Sequence, residues 1–113
     1  MQIHDLDRYY SPTESLCYRE GIGLHKYWMR MAEIALERNE SLHPYAVTRD
    51  TSRRAKHIHS HAGIALIRLD YAQKSKVTPQ LEKPREAKAW LFTPENSLFL
   101  LAHYLTNYEG HPF

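Results

Sequence analysis

Three histidines at alternate positions, His57, His59 and His61, follow a run of cations, Arg49, Arg53, Arg54 and Lys56. A neutral imidazole ligates zinc and similar ions, and on a helix His57 and His61 stand one turn apart and could share one ion. His59 would then point elsewhere, and no third or fourth ligand is spaced to close the site. The cations offer a different chemistry. Arg49, Arg53 and Lys56 follow i, i+4, i+7 spacing, so a helix would gather them on one face able to neutralise phosphates or acidic side chains. Arg54 and Arg68 lie nearby, Ser52 and His57 could act as extra donors, and Tyr45 and Tyr71 could add stacking against a single-stranded ligand. The plain alternative is a solvated face, or one that pairs with the chain's own acids.

The charge is unevenly spread. The net value over all 113 residues is +2. Residues 1–43 carry −2, residues 44–76 carry +5, and residues 77–113 carry −1. Concentrated positive charge favours an anionic partner for the middle segment. Eight histidines would add to it near about pH 6.

Other chemistries find no residues to run on. The sequence holds no phosphate loop, no glycine-rich dinucleotide fingerprint, no HExxH and no CxxC. No cofactor is implied. Cys17 is the single cysteine, which excludes an intrachain disulfide and a multi-cysteine zinc site and fits a reducing compartment. Helical spacing puts Cys17 and His25 about 80° apart over two turns, which is poor geometry for a thiolate pair. The N-terminus lacks the basic-then-apolar pattern of a signal peptide, and no run approaches the ~18 apolar residues that span a bilayer. These features predict a cytoplasmic protein without catalytic activity.

The elements that must position the basic face read as helices. A chain of this length makes one domain. Residues 1–10 read as a short arm. Ser11, Pro12 and Glu14 form a helix start signal, and a helix is expected from Pro12 to about Arg38, with Gly21 and Gly23 as the place where it could break in two. The stretch from about 51 to 76 reads as a central helix, its first half basic, its second half (Ile64, Ala65, Leu66, Ile67, Leu69, Tyr71, Ala72) apolar on nearly every side. Pro84 opens a short helix to Phe92, and Thr93–Pro94 starts a last one. The expected fold is all-α: four to five helices packed around the central helix as a small bundle.

Three helices with more than one apolar face suggest a homodimer, with Leu98, Leu101, Tyr104 and Leu105 of the last helix at the contact. Eight tyrosines are many for a domain this small, and tyrosine favours interfaces. Within Arg85–Leu98, the residues Ala87, Trp90, Leu91, Pro94 and Leu98 resemble the Trp-Leu-x-x-Pro start of the toxin-binding domain in antitoxins paired with RES-type toxins. The glycine and proline that follow in that family are absent here, where Phe99, Leu100 and His103 stand instead. That resemblance implies an antitoxin-like, protein-binding module.

The sequence thus predicts a binding or regulatory protein, of the kind mobile elements carry as inhibitors. Its contact would be Tyr45, Arg49, Arg53, Arg54, Lys56 and His57, and its partner nucleic acid or an acidic or nucleic-acid-binding protein. An oligomeric adaptor working through the last helix, and a metal-binding protein using His57 and His61, are the two alternatives.

Overall fold

The last helix, Pro94–Asn107, is the element the others enclose. The computed structural model describes residues 2–49 and 60–107 of the chain. Along this helix Ser97 to Ala102 and Leu105 are all buried, so it shows almost no face to solvent. It packs against the first two α-helices, the helix before it and the sheet. The described residues are mostly helical, as the sequence predicts, and they add a small sheet that it did not.

A 3-10 helix, Ile3–Tyr9, occupies the stretch expected to be an arm. Gln2 and Asp5 cap it, with the Gln2 N–H donating to Asp5 Oδ2 at 2.7 Å. Leu6 is buried, and the Trp28 indole donates to Asp7 at 3.4 Å. It runs into α1, Tyr10–Arg19, without a break. The long helix expected to Arg38 stops here. Gly21 takes φ +69, the Ile22 N–H reaches back to the Cys17 carbonyl, and the Gly21 N–H reaches the Tyr18 carbonyl. That pair of bonds is the Schellman end of a helix, which glycine permits because a left-handed residue must follow the cap.

The next helix, α2, spans Leu24–Arg38 and buries Leu24, Trp28, Met31, Ala32 and Ala35, a stripe at helical spacing that faces the core. Tyr10 of α1 meets Trp28 edge to face, ring centres 5.0 Å apart. Three short antiparallel strands follow, β1 Val47–Arg49, β2 Ser60–Ala62 and β3 Ile67–Arg68, in the order β1-β2-β3. Thr48 lies opposite His61, and His61 opposite Arg68. The next helices are α3, Leu69–Lys74, and α4, Pro84–Leu91, with Pro84 in the first turn and Glu86 accepting from the Glu82 and Lys83 N–H groups. The Pro94–Asn107 helix is α5.

The expected central helix over about 51–76 is corrected by this arrangement. Residues 51–59 lie outside the described residues. From Ser60 to Arg68 the chain is strand, turn, strand, and only Leu69–Lys74 is helical. Gly63 at φ +91 breaks any helix, and its Cα lies so close to the Leu91 carbonyl that a side chain would run into it. Every residue from Ala62 to Ile67 is buried. The turn's polar backbone groups are met from elsewhere: Asn39 Nδ2 donates to the Ile64 carbonyl at 3.1 Å, and Ser97 Oγ accepts from the Ala65 N–H at 3.1 Å. A buried turn is viable only with such partners.

Candidate binding groove

Two helices and the sheet leave a trough over α5. α2 forms one wall with Arg30, Ile34, Glu37 and Arg38. The opposite wall is Ile67 and Arg68 of β3 with Asp70, Tyr71 and Lys74 of α3, and Leu101 and Tyr104 of α5 make the floor. The open groove has a volume of about 710 Å³. Helical spacing explains the first wall: Arg30, Ile34 and Arg38 are four residues apart, so they line up along one side of α2. Tyr71 and Lys74, three apart on α3, do the same across the groove, with Arg68 at the end of β3 just before them. Each wall therefore reads cation, apolar, cation.

Arg30, Arg38, Arg68 and Lys74 face two carboxylates, Glu37 and Asp70, which leaves the lining at a formal +2. Arg68 and Asp70 make a two-point pair, Nε to Oδ1 at 3.0 Å and Nη2 to Oδ2 at 2.6 Å. It holds the Arg68 guanidinium in place beside the groove. Arg30, Arg38, Arg68 and Lys74 are all exposed, whereas Ile67 and Leu101 are buried. Tyr71 and Tyr104 are half-buried and meet edge to face at 5.8 Å. A second, shallower hollow of about 460 Å³ beside Tyr18 and His25 has one glutamate, Glu14, and one arginine, Arg19, and so no charge bias.

The sheet ties this groove to the basic part of the sequence. Residues directly opposite one another in antiparallel strands project from the same face. Thr48, His61 and Arg68 therefore form one row, and Val47, Ala62 and Ile67 form the other. Ala62 and Ile67 are buried, so the first row is the outer one and ends at the groove's Arg68. The basic stretch rejoins the described fold at Ser60, one residue before His61.

The residues the sequence singles out are dispersed. Arg53, Arg54, Lys56 and His57 lie outside the described residues, and Arg49 ends β1. Tyr45 is 65% exposed, its ring 5.2 Å from Phe92 and 5.8 Å from His43. His61 is on a strand, so the one-turn spacing that would pair it with His57 on a helix does not apply at that end. Leu98, Leu101 and Leu105 are buried within this chain's own core, and Tyr104 is half-buried in the groove floor. Cys17 is fully buried, and burial, helped by the nearby Glu14 charge, pushes its thiol up to about 12. Such a thiol is inert as a nucleophile.

Of the groove residues, the sequence points to Arg68 and Tyr71 beside the basic segment, but not to Arg30, Arg38 or Lys74. The detectable signal was the repeated cation–apolar–cation pattern, at spacing four in one segment and three in the other.

Comparison with protein-family models, with curated proteins and with solved structures finds no match to this chain. The antitoxin resemblance of Arg85–Leu98 gains no support from it. Those residues form α4 and the start of α5, where Ala87, Leu91 and Leu98 are fully buried.

Proposed function

We propose that this chain is a small non-enzymatic binding protein, a regulator or inhibitor that acts by occupying an anionic surface of a partner macromolecule. The observation that carries this reading is the net-positive groove between α2 and α3, joined through the His61–Arg68 row to the segment richest in cations. Arg49, Arg53, Arg54, Lys56 and His57, with Tyr45 for stacking, remain candidates for contact with an anionic partner on the strength of their charge. Two copies of the chain could present two such contacts.

The test is a charge reversal on exposed positions. Arg38→Glu together with Lys74→Glu should leave the melting temperature nearly unchanged, because surface charges contribute little to stability. Binding of fluorescent poly-glutamate or of a single-stranded oligonucleotide, followed by anisotropy, should fall at least about tenfold, a loss of about 1.4 kcal/mol. Binding to the wild type should also weaken steeply between about 50 and about 200 mM salt. Failure of both probes to bind, or binding that ignores both salt and the charge reversal, would overturn the proposal.

A further inference from the structure

The groove's shape and charge specify more than a sign. We infer that its occupant is an amphipathic helical segment of a partner protein, with one apolar stripe flanked by aspartates or glutamates. This rests on the binding reading above and narrows it to one class of ligand. The apolar centre of each wall, Ile34 on α2 and Tyr71 on α3, meets the apolar floor of Leu101 and Tyr104. A ligand that fills the groove must therefore bring apolar side chains to its middle. The cations sit at both ends of each wall, Arg30 and Arg38 on one side, Arg68 and Lys74 on the other. The complementary ligand has acids on both flanks of its apolar stripe.

The dimensions suit a helix. From Arg30 to Arg38 the wall runs about 12 Å at 1.5 Å per residue, which is slightly more than two helical turns. The α2 wall over the apolar floor of α5 offers a further helix a surface on which to pack ridges into grooves. Strand addition is a poorer fit, because β3 at the groove edge is only two residues long. Nucleic acid is a poorer fit as well. Tyr71 and Tyr104 pack on one another, which takes up ring surface that a stacked base would need.

The experiment uses the full chain and a synthetic helical peptide with leucines at i, i+3, i+4 and i+7 and glutamates beside them. Three probes are compared with it: the same composition scrambled, the same stripe with lysine for glutamate, and a single-stranded oligonucleotide. The amphipathic acidic peptide should bind at least about tenfold more tightly than the other three. Ile34→Glu, which puts a charge in the middle of the groove, and Arg38→Glu with Lys74→Glu should each weaken it by at least about the same factor. Circular dichroism and melting temperature check the fold of each variant, and if Ile34→Glu unfolds, the exposed double charge reversal carries the comparison. Equal binding of the scrambled peptide would overturn the helix inference and leave the anionic-partner reading standing. Tightest binding by the oligonucleotide, lost in the same variants, would replace the peptide with nucleic acid. A dimer that Ile34→Glu splits would make the occupant a second copy of this chain and overturn the inference too. No binding by any anionic probe would remove the functional proposal itself.

Discussion

Ile64–Leu69 and Leu98–Leu105 look alike as sequence, each apolar on nearly every side, yet one is a buried turn running into a strand and a helix start, and the other is the central helix. Both are enclosed: Ile64 and Ala65 are 1% and 0% exposed, Leu100 and Leu101 0% and 2%. What separates them is where the backbone finds its hydrogen bonds. A helix such as α5 satisfies its interior N–H and C=O groups from its own turns. The turn at Gly63–Leu66 borrows them from Asn39, Ser97 and Ala46, residues far away in the chain. Apolarity around the whole circumference therefore reports burial and is silent on conformation.

Opposite glycine–alanine exchanges in the two regions should widen that contrast most. Gly63→Ala forces a side chain into a left-handed position and against the Leu91 carbonyl, and should cost about 3 kcal/mol or more. Ala102→Gly, equally buried but helical, should cost only about 1–2 kcal/mol. Urea unfolding of both variants measures the difference, and equal costs would mean the turn is not tightly held against α4.

Ser97→Ala comes next. Alanine is the better helix former, so α5 taken alone would gain. The Ala65 N–H would lose its acceptor, and a net loss of about 1–3 kcal/mol is expected from the buried unpaired donor. A neutral or stabilising result in the same urea titration would show that the turn does not depend on α5 for its hydrogen bonding.

The smallest effect is a pH dependence on α5 itself. Burial lowers the pKa of His103, with Glu20 pulling it weakly the other way. A histidine whose folded pKa lies below its unfolded value is held neutral by folding. Its contribution is present above the unfolded value near about 6.5 and is lost as pH falls through and below it. The melting temperature should therefore drop more between about pH 7.5 and about pH 5 in the wild type than in His103→Gln. Identical slopes would assign the acid sensitivity to other groups.

Much of the helical framework was legible. Pro84 and Pro94 open helices where first-turn prolines belong, and Gly21 breaks the long N-terminal helix where a glycine was the expected weak point. The groove was not legible, because Arg30 and Arg38 lie more than two dozen residues before Arg68 and Lys74. Local spacing shows that Arg30 and Arg38 share a face, but only the packing of α2 and β3 on α5 brings them to one trough with Arg68 and Lys74.

Composition and local chemistry alone determined a mostly helical chain, the helix starts at Pro84 and Pro94, the inertness expected of a lone buried cysteine, and the concentration of positive charge in residues 44–76. Tertiary structure decided the rest: that α5 rather than residues 51–76 lies at the centre, that Ser60–Arg68 is a hairpin, and that cations from two separate segments share one groove. Caps and turn residues act over a few neighbours, whereas a buried turn and a groove exist only when distant groups supply the hydrogen bonds and the walls.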